Sequence, residues 1–271
     1  MLRGLRIVNL AVNLPGPAAA QRLQALGATV VKVEPPGGDP MALYSQPWYA
    51  NMMEGQQVHR CDLKDPQGKK SLFALLESAD ALITATRSAA LKRLGLDFDS
   101  LHPLFPDLCM VSIVGYPAPD DDEAGHDLTY QARMGLLDPP HMPRTLISDL
   151  AGAEQTVSAV LALLVQRERT GEAGQAVVPL SEAAAFFAEP LRYGSTVAGG
   201  ILGGGLPEYN IYQARDGWVA VAALEPHFKS RLEKLLDIRR QEDYQTVFAG
   251  QTTGYWKLWA QSHDLPVETV V

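Results

Sequence analysis

The chain has 271 residues, 46% of them hydrophobic, which is enough for one large domain, or a large and a small one, around a real core. Its 23 basic and 31 acidic residues leave a formal charge of −8, which argues against the basic face a nucleic-acid binder needs but allows an anionic cofactor held by a few local Lys and Arg. The two cysteines, Cys61 and Cys109, stand in no metal or redox spacing and point to a reducing, cytoplasmic setting.

The N-terminal "MLRGLRIVNLAVNLPGP" is apolar only briefly and is broken by Asn13, Pro15 and Pro17, so it does not read as a signal peptide. No run is expected to approach bilayer length. Residues 5–12, "LRIVNLAV", predict a buried strand. A helix follows, with Pro17 in its first turn and Gly27 as its stop. "TVVKVEPP" predicts a second strand, so the opening is a βαβ unit with a parallel sheet. Residues 65–80 predict a helix capped by Asp65 with Pro66 in first place. "ALIT" predicts a strand, "SAALKRLGL" a helix and "DLCMVSIVG" a strand. The longest helical stretch is 148–174, with Ser148 or Asp149 as its cap. "QAVVPL" and "SEAAAFFAEPLRYG" continue as strand and helix. The glycine-rich 199–207, "GGILGGGLP", marks a boundary. Beyond it come a hairpin turning at Asp216-Gly217, helices at 226–238 and 252–264, and a short last strand.

The expected architecture is therefore α/β: a Rossmann-like parallel-sheet large domain at 1–198, a linker at 199–206 and a smaller α+β domain at 207–271. The usual phosphate signatures are missing. There is no G-x-G-x-x-G after the first strand, no G-x-x-x-x-G-K-[ST], no G-x-S-x-G elbow and no His/Cys set with zinc spacing, so no metal is expected. A ligand would still be expected at the carboxyl ends of the strands.

The opening 40 residues, then "CDLKDPQGKKSLFALLESADALIT", "LKRLGLDFDSLHPLFPDLCMVSIVGY", "GHDLTYQARMG", "SDLAG" and "YNIYQARDGWVAVAALEPHF", resemble the class III CoA-transferase family (the CaiB/BaiF type) in order and over nearly the whole chain. That superfamily also contains α-methylacyl-CoA racemases. The resemblance places the family's catalytic aspartate at Asp149. In transferases it is a nucleophile that forms a mixed anhydride and then an aspartyl-CoA thioester. In racemases it is one of two acid/base groups, the other being the "GHD" histidine, here His126. By themselves Asp149 would read as a helix cap and His126 as a solvated loop residue. Enolate-stabilising N–H groups are expected near the start of the helix after Asp149.

Glu225 in "AALEPHF" takes the position of a racemase glutamate, although its place before Pro226 also suits a plain helix start. Tyr130 and Asp127 are expected to shape the His126 loop, Tyr130 on the CoA side and Asp127 as a possible partner of the imidazole. The resemblance assigns Arg87 and Lys32 to CoA, Lys32 near its adenosine end, although either also suits a surface cation, and Arg60 is expected to bind CoA by compensating for cations missing nearby. The resemblance implies an acyl-CoA substrate and a homodimer, and no cofactor beyond the coenzyme A the substrate carries, no nucleic acid and no membrane are expected.

Two features depart from the family. "NMMEGQQVHR" puts Glu54, Gln56 and Gln57 where cations are expected. The C-terminal segment by which family members return to the large domain and link as rings is expected to be missing or much shortened after "DLPVETVV". Three readings result. The first is 2-methylacyl-CoA racemase chemistry by His126 and Asp149. The second is CoA transfer through Asp149, which a mobile glycine loop at 199–207 would favour. The third is a non-catalytic CoA-binding or partner subunit.

Overall fold

The structure is a computed structural model and describes Met1–Val270. The chain divides into two compact units, Met1–Ala188 and Glu189–Val271. The first contains β1 (Arg6–Asn9), α1 (Pro15–Ala25), β2 (Thr29–Glu34), α2 (Met41–Tyr44), α3 (Gln46–Met53), β3 (Gln57–Arg60) and α4 (Pro66–Leu76). It continues with β4 (Ala81–Thr84), α5 (Ser88–Leu94), α6 (Phe98–Leu101), β5 (Cys109–Val114), α7 (Asp127–Arg133), α8 (Ile147–Thr170), β6 (Gln175–Pro179) and α9 (Leu180–Phe187). The second contains α10 (Glu189–Arg192), β7 (Tyr209–Gln213), β8 (Trp218–Ala222), α11 (Pro226–Leu236), α12 (Asp243–Ala249), α13 (Thr253–His263) and β9 (Val267–Val270).

The six strands of the first unit form one parallel sheet in the order β3-β2-β1-β4-β5-β6. The expected parallel α/β sheet is therefore present. Successive residues of β1 point to opposite faces, so Ile7 enters the core shared with α1 and α8, while Val8 enters the core shared with α4 and α5. The chain order reverses between β1 and β4. The connections that leave their carboxyl ends run to α1 and α5 on opposite faces of the sheet and leave a crevice, the usual ligand position in an open α/β sheet.

Asp65 caps α4 as expected, accepting from the N–H groups of Gln67 (3.1 Å) and Gly68 (3.2 Å) behind Pro66. Helix α1 begins at Pro15, a little earlier than Pro17 suggested. Helix α8 corrects two expectations. By length and apolar composition it is long enough to cross a bilayer, although no run was expected to be. Half of its most apolar stretch is buried, with Val157, Val160 and Leu163 in the core of the first unit. Its cap is also neither Ser148 nor Asp149. The helix starts at Ile147, so both lie inside its first turn, and no side chain of the N-cap residue Leu146 bonds there.

In the second unit, β7, β8 and β9 form an antiparallel sheet, and Gln213 pairs with Trp218 across the expected hairpin. One face is covered by helices. Tyr212 stacks on Phe248 at 5.2 Å, and Val219, Val221, Leu232 and Trp256 complete the core. The glycine-rich 199–206 lies inside this unit rather than ahead of it. It is folded into tight turns, with Leu202 N–H bonded to Ser195 O (2.7 Å) and Gly199 N–H to Gly203 O (3.0 Å).

Candidate active site

A cleft of about 270 Å³ opens at the carboxyl ends of β1, β4 and β5. Val12 and Asn13 after β1, Ala85 and Arg87 after β4, and Ile113 to Gly115 at the end of β5 form its base. The 121–126 loop, Tyr130 and Asp149 close it. The cleft therefore sits at the reversal point of the sheet, where the topology predicts a ligand. It gathers His126, Asp149, Arg87 and Tyr130, four of the residues singled out from the sequence.

His126 is the last residue of the loop and the N-cap of α7, in extended backbone conformation (φ −144°, ψ 167°). Its N–H donates to Thr129 Oγ1 (3.0 Å), and that hydroxyl donates to His126 O (2.8 Å). The backbone is thus fixed by a capping pair. The ring is exposed, and among the described residues no hydrogen bond engages it. Gly125 and Gly115 explain the surrounding motif. A Cβ on Gly125 would stand 2.5 Å from Tyr130 Cε1, and one on Gly115 would stand 2.5 Å from the Tyr130 hydroxyl. Tyr130 is 2% exposed and meets Tyr116 edge-on at 5.2 Å. It is the block against which the His126 turn is packed, as expected, and it also lines the cleft. Burial, with the neighbouring Tyr116 and Asp149, holds its hydroxyl up to about 12, so it stays protonated and able to donate.

Asp127 has a different role from the expected imidazole partner. Its buried carboxylate turns away toward α8, where Oδ1 accepts from the N–H groups of Ser148 (2.8 Å) and Asp149 (3.1 Å), while Oδ2 accepts from Gln131. The cap of α8 therefore comes from another helix. One residue joins the His126 turn to the backbone of Asp149. Asp127 takes up the N–H groups of Ser148 and Asp149, and the N–H of Leu150, just after Asp149, bonds Leu146 O (3.0 Å), so none of these three is free for an enolate oxygen as expected of the segment after Asp149. Asp127→Ala would strand two helix donors and a buried amide, and a loss of about 2–3 kcal/mol is expected. Asp127→Asn, which keeps an acceptor, is expected to lose about 1 kcal/mol. Urea unfolding at pH 7 checks both.

Asp149 itself is partly buried and caps nothing. A carboxylate in the first turn of a helix is normally stabilised by the helix dipole. Here burial outweighs that, and the charge of Asp127 adds to it, so the Asp149 carboxyl is pushed up to about 7. The consequence for stability has a definite sign. Between the ordinary aspartate value near 4 and about 7, the folded chain keeps a proton that the unfolded chain has released. Stability from this group is full below that window and is lost as pH rises through it. Asp149→Asn is therefore expected to be more stable than the parent at pH 8, by about 1–3 kcal/mol after allowance for partial solvent screening. The two should melt alike at pH 4. Thermal unfolding at both pH values checks this.

Of the remaining expected residues only Arg87 belongs to the cleft. Arg87, at the start of α5, is exposed on the cleft wall. Arg60 is exposed at the end of β3 and pairs with the buried Glu34 at 3.3 Å. Lys32, expected near the adenosine end of CoA, is instead wholly buried. Its Nζ is 2.8 Å from Asp39 and also bonds Ala11 O. Burial lowers its pKa, while Asp39 and Glu34 oppose that. It has no open face for a phosphate, because β2 is covered on both sides by α/β packing. Glu225 belongs to the second unit. It precedes Pro226 at the start of α11, and its exposed carboxylate makes no capping bond. Glu54 and Gln57 are exposed at the turn into β3. Sequence reasoning missed Asn13, Asp121 and Glu123, all of which line the cleft. The signal for the two acids was their place in the "DDDEAGHD" run just before His126.

Comparison with known proteins bears on the chemistry. The family model described as CoA-transferase family III matches residues 2–263. The chain is 32% identical over 194 residues to a succinate–glutarate CoA-transferase of Agrobacterium fabrum, covering 63% of this chain and 48% of that one. It is 27% identical over 266 residues to human succinyl-CoA:glutarate CoA-transferase, covering 88% and 59%. It is 29% identical over 288 residues to human alpha-methylacyl-CoA racemase, covering 94% and 74%. The chain thus spans about half the length of the transferases and three quarters of the racemase. The crystal structure of Rv3272 from Mycobacterium tuberculosis superposes with a TM-score of 0.86 at 24% identity, over 100% of this chain and 85% of that one. A CaiB/BaiF family protein from Brucella suis gives 0.80 at 21%, over 100% and 84%. At these identities the structures attest the fold.

Proposed function

The chain belongs to CoA-transferase family III, and from that premise we propose that it moves the α-proton of a 2-methylacyl-CoA thioester, using His126 and Asp149. The observation that carries this reading is their meeting in one cleft, with the Asp149 carboxyl held at about 7. Inversion at the α-carbon needs one group ready to take a proton and a second ready to return one from the opposite face. A neutral imidazole and a carboxylic acid meet that need, and they exchange roles for the opposite direction of reaction. A carboxyl at about 7 is substantially protonated at neutral pH, as an acid catalyst must be.

Arg87, exposed on the cleft wall, is the cation best placed to meet an anionic group of the cofactor moiety. Arg60 at the end of β3 would meet the phosphates further out.

A second reading has its own support. Two of the relatives are named as dicarboxylate CoA-transferases. In that reaction the Asp149 carboxylate attacks the thioester carbonyl and CoA leaves as a thiolate; the thiolate then attacks the aspartyl carbonyl of the mixed anhydride and releases the first acid as its carboxylate, and the acceptor carboxylate attacks the aspartyl thioester so that the freed thiolate can take the new acyl group. The test is stereochemical. A single C2 epimer of 2-methylacyl-CoA is incubated with the protein and the product is resolved on a chiral column. Equilibration of the two epimers is expected. An unchanged epimer, together with CoA transfer to added succinate, would overturn the racemase reading.

A further inference from the structure

We propose that the buried Asp39 carboxylate, neutralised by Lys32, is a positioning device whose acceptor oxygen fixes the β1–α1 loop as a wall of the cleft. The proposal takes the cleft as the acyl-CoA site and so rests on the reading above. The loop follows β1 directly, where many α/β proteins turn backbone N–H groups outward to hold phosphates. Here the backbone is turned inward. Ala11 N–H donates to Asn9 Oδ1 (2.9 Å), and Ala11 O accepts from Lys32 Nζ. Asn13 N–H donates to Asp39 Oδ1 (2.8 Å), which also accepts from Met41 N–H (2.9 Å). The side chains of Lys32 and Asp39 have no solvent exposure, and their 2.8 Å bond closes the network beneath the loop.

The backbone strain falls where this network holds it. Asn13 has φ +66°, a left-handed conformation that a side chain other than glycine adopts at a cost. The bond from its N–H to Asp39 holds it there, and Val12 and Asn13 then line the cleft. A buried ion pair is a poor source of net stability, because desolvation offsets the attraction. What this one supplies is geometry: each partner keeps a polar atom aimed at one loop carbonyl or N–H. Lys32 and Asp39 do not line the cleft themselves, so they act through Ala11 and Asn13.

The test uses two double variants that both remove the buried charges. Lys32→Met with Asp39→Leu removes the acceptor for Asn13 N–H. Lys32→Met with Asp39→Asn keeps it. The amide exchange of residues 10–14 is followed by mass spectrometry, and KM and kcat for an acyl-CoA are measured alongside. The leucine double is expected to exchange these amides roughly tenfold faster or more, and to raise KM roughly tenfold with less effect on kcat. The asparagine double is expected to restore both to within about threefold. If the leucine double does not fold, Asp39→Ser with Lys32→Met takes its place, since serine is too short to reach the Asn13 N–H. Equal exchange in both doubles and the parent would overturn the proposal, and so would a KM that does not follow the acceptor. If the parent turns over no acyl-CoA, the acyl-CoA reading fails by itself, and the exchange contrast decides the positioning claim.

Discussion

Asp149→Asn is expected to lower turnover of any acyl-CoA substrate by about a thousandfold or more, with the protein still folded. The substitution is nearly isosteric. It keeps the Asp149 N–H bond to Asp127 and removes only the ionisable oxygen. An amide neither returns a proton to a carbanion nor attacks a thioester, so racemisation and transfer should be lost together. Because burial raises the carboxyl pKa, the variant is also expected to be more stable than the parent above neutral pH. Lost activity with gained stability separates a working carboxyl from a structural one. Retention of more than a tenth of the activity would remove Asp149 from the chemistry.

His126→Ala is expected to lose epimer interconversion by about a hundredfold to ten-thousandfold, the usual contribution of a general acid or base. Its fold should survive. The ring is exposed, and the bonds that hold the turn are made by its backbone with Thr129. The measurement is the rate of epimer equilibration beside the rate of CoA transfer to succinate. The racemase account expects the first to collapse. Full interconversion by the alanine variant would leave His126 as an ordinary helix cap.

The strands that build the sheet were readable because each is an apolar run between turn signals. "LRIVN", "TVVKVE", "ALIT" and "CMVSIV" all lie in β1, β2, β4 and β5 or at their borders. Strand β3 was not readable, because all four of its residues are exposed and only pairing with β2 makes it a strand. Helix α7 was taken for loop. It is short and buries only Asp127, Tyr130 and Gln131, so it carries little apolar periodicity. Helix α12 is similar, with Tyr244 and Phe248 as its only buried residues.

In the site, His126 and Asp149 were found through motif resemblance, and the geometry brings them to one cleft. The cap of α8 was misassigned because local sequence favours a neighbouring Ser or Asp, while the actual acceptor, Asp127, lies 21 residues upstream of Ser148. Lys32 offered a signal that was not used. A lysine inside a strand covered on both faces must be buried and must find a partner, and "GGDP" supplies Asp39 seven residues on.

Deuterium uptake at the α-carbon tests the central claim most directly. The protein is incubated with 2-methylacyl-CoA in heavy water, and the mass of the recovered thioester is followed over time, with His126→Ala and Asp149→Asn in parallel. The account expects the parent to incorporate one deuterium at C2 and both variants to incorporate it far more slowly. A thioester recovered without deuterium, while CoA passes to an added acid, would contradict it and assign the cleft to transfer through Asp149.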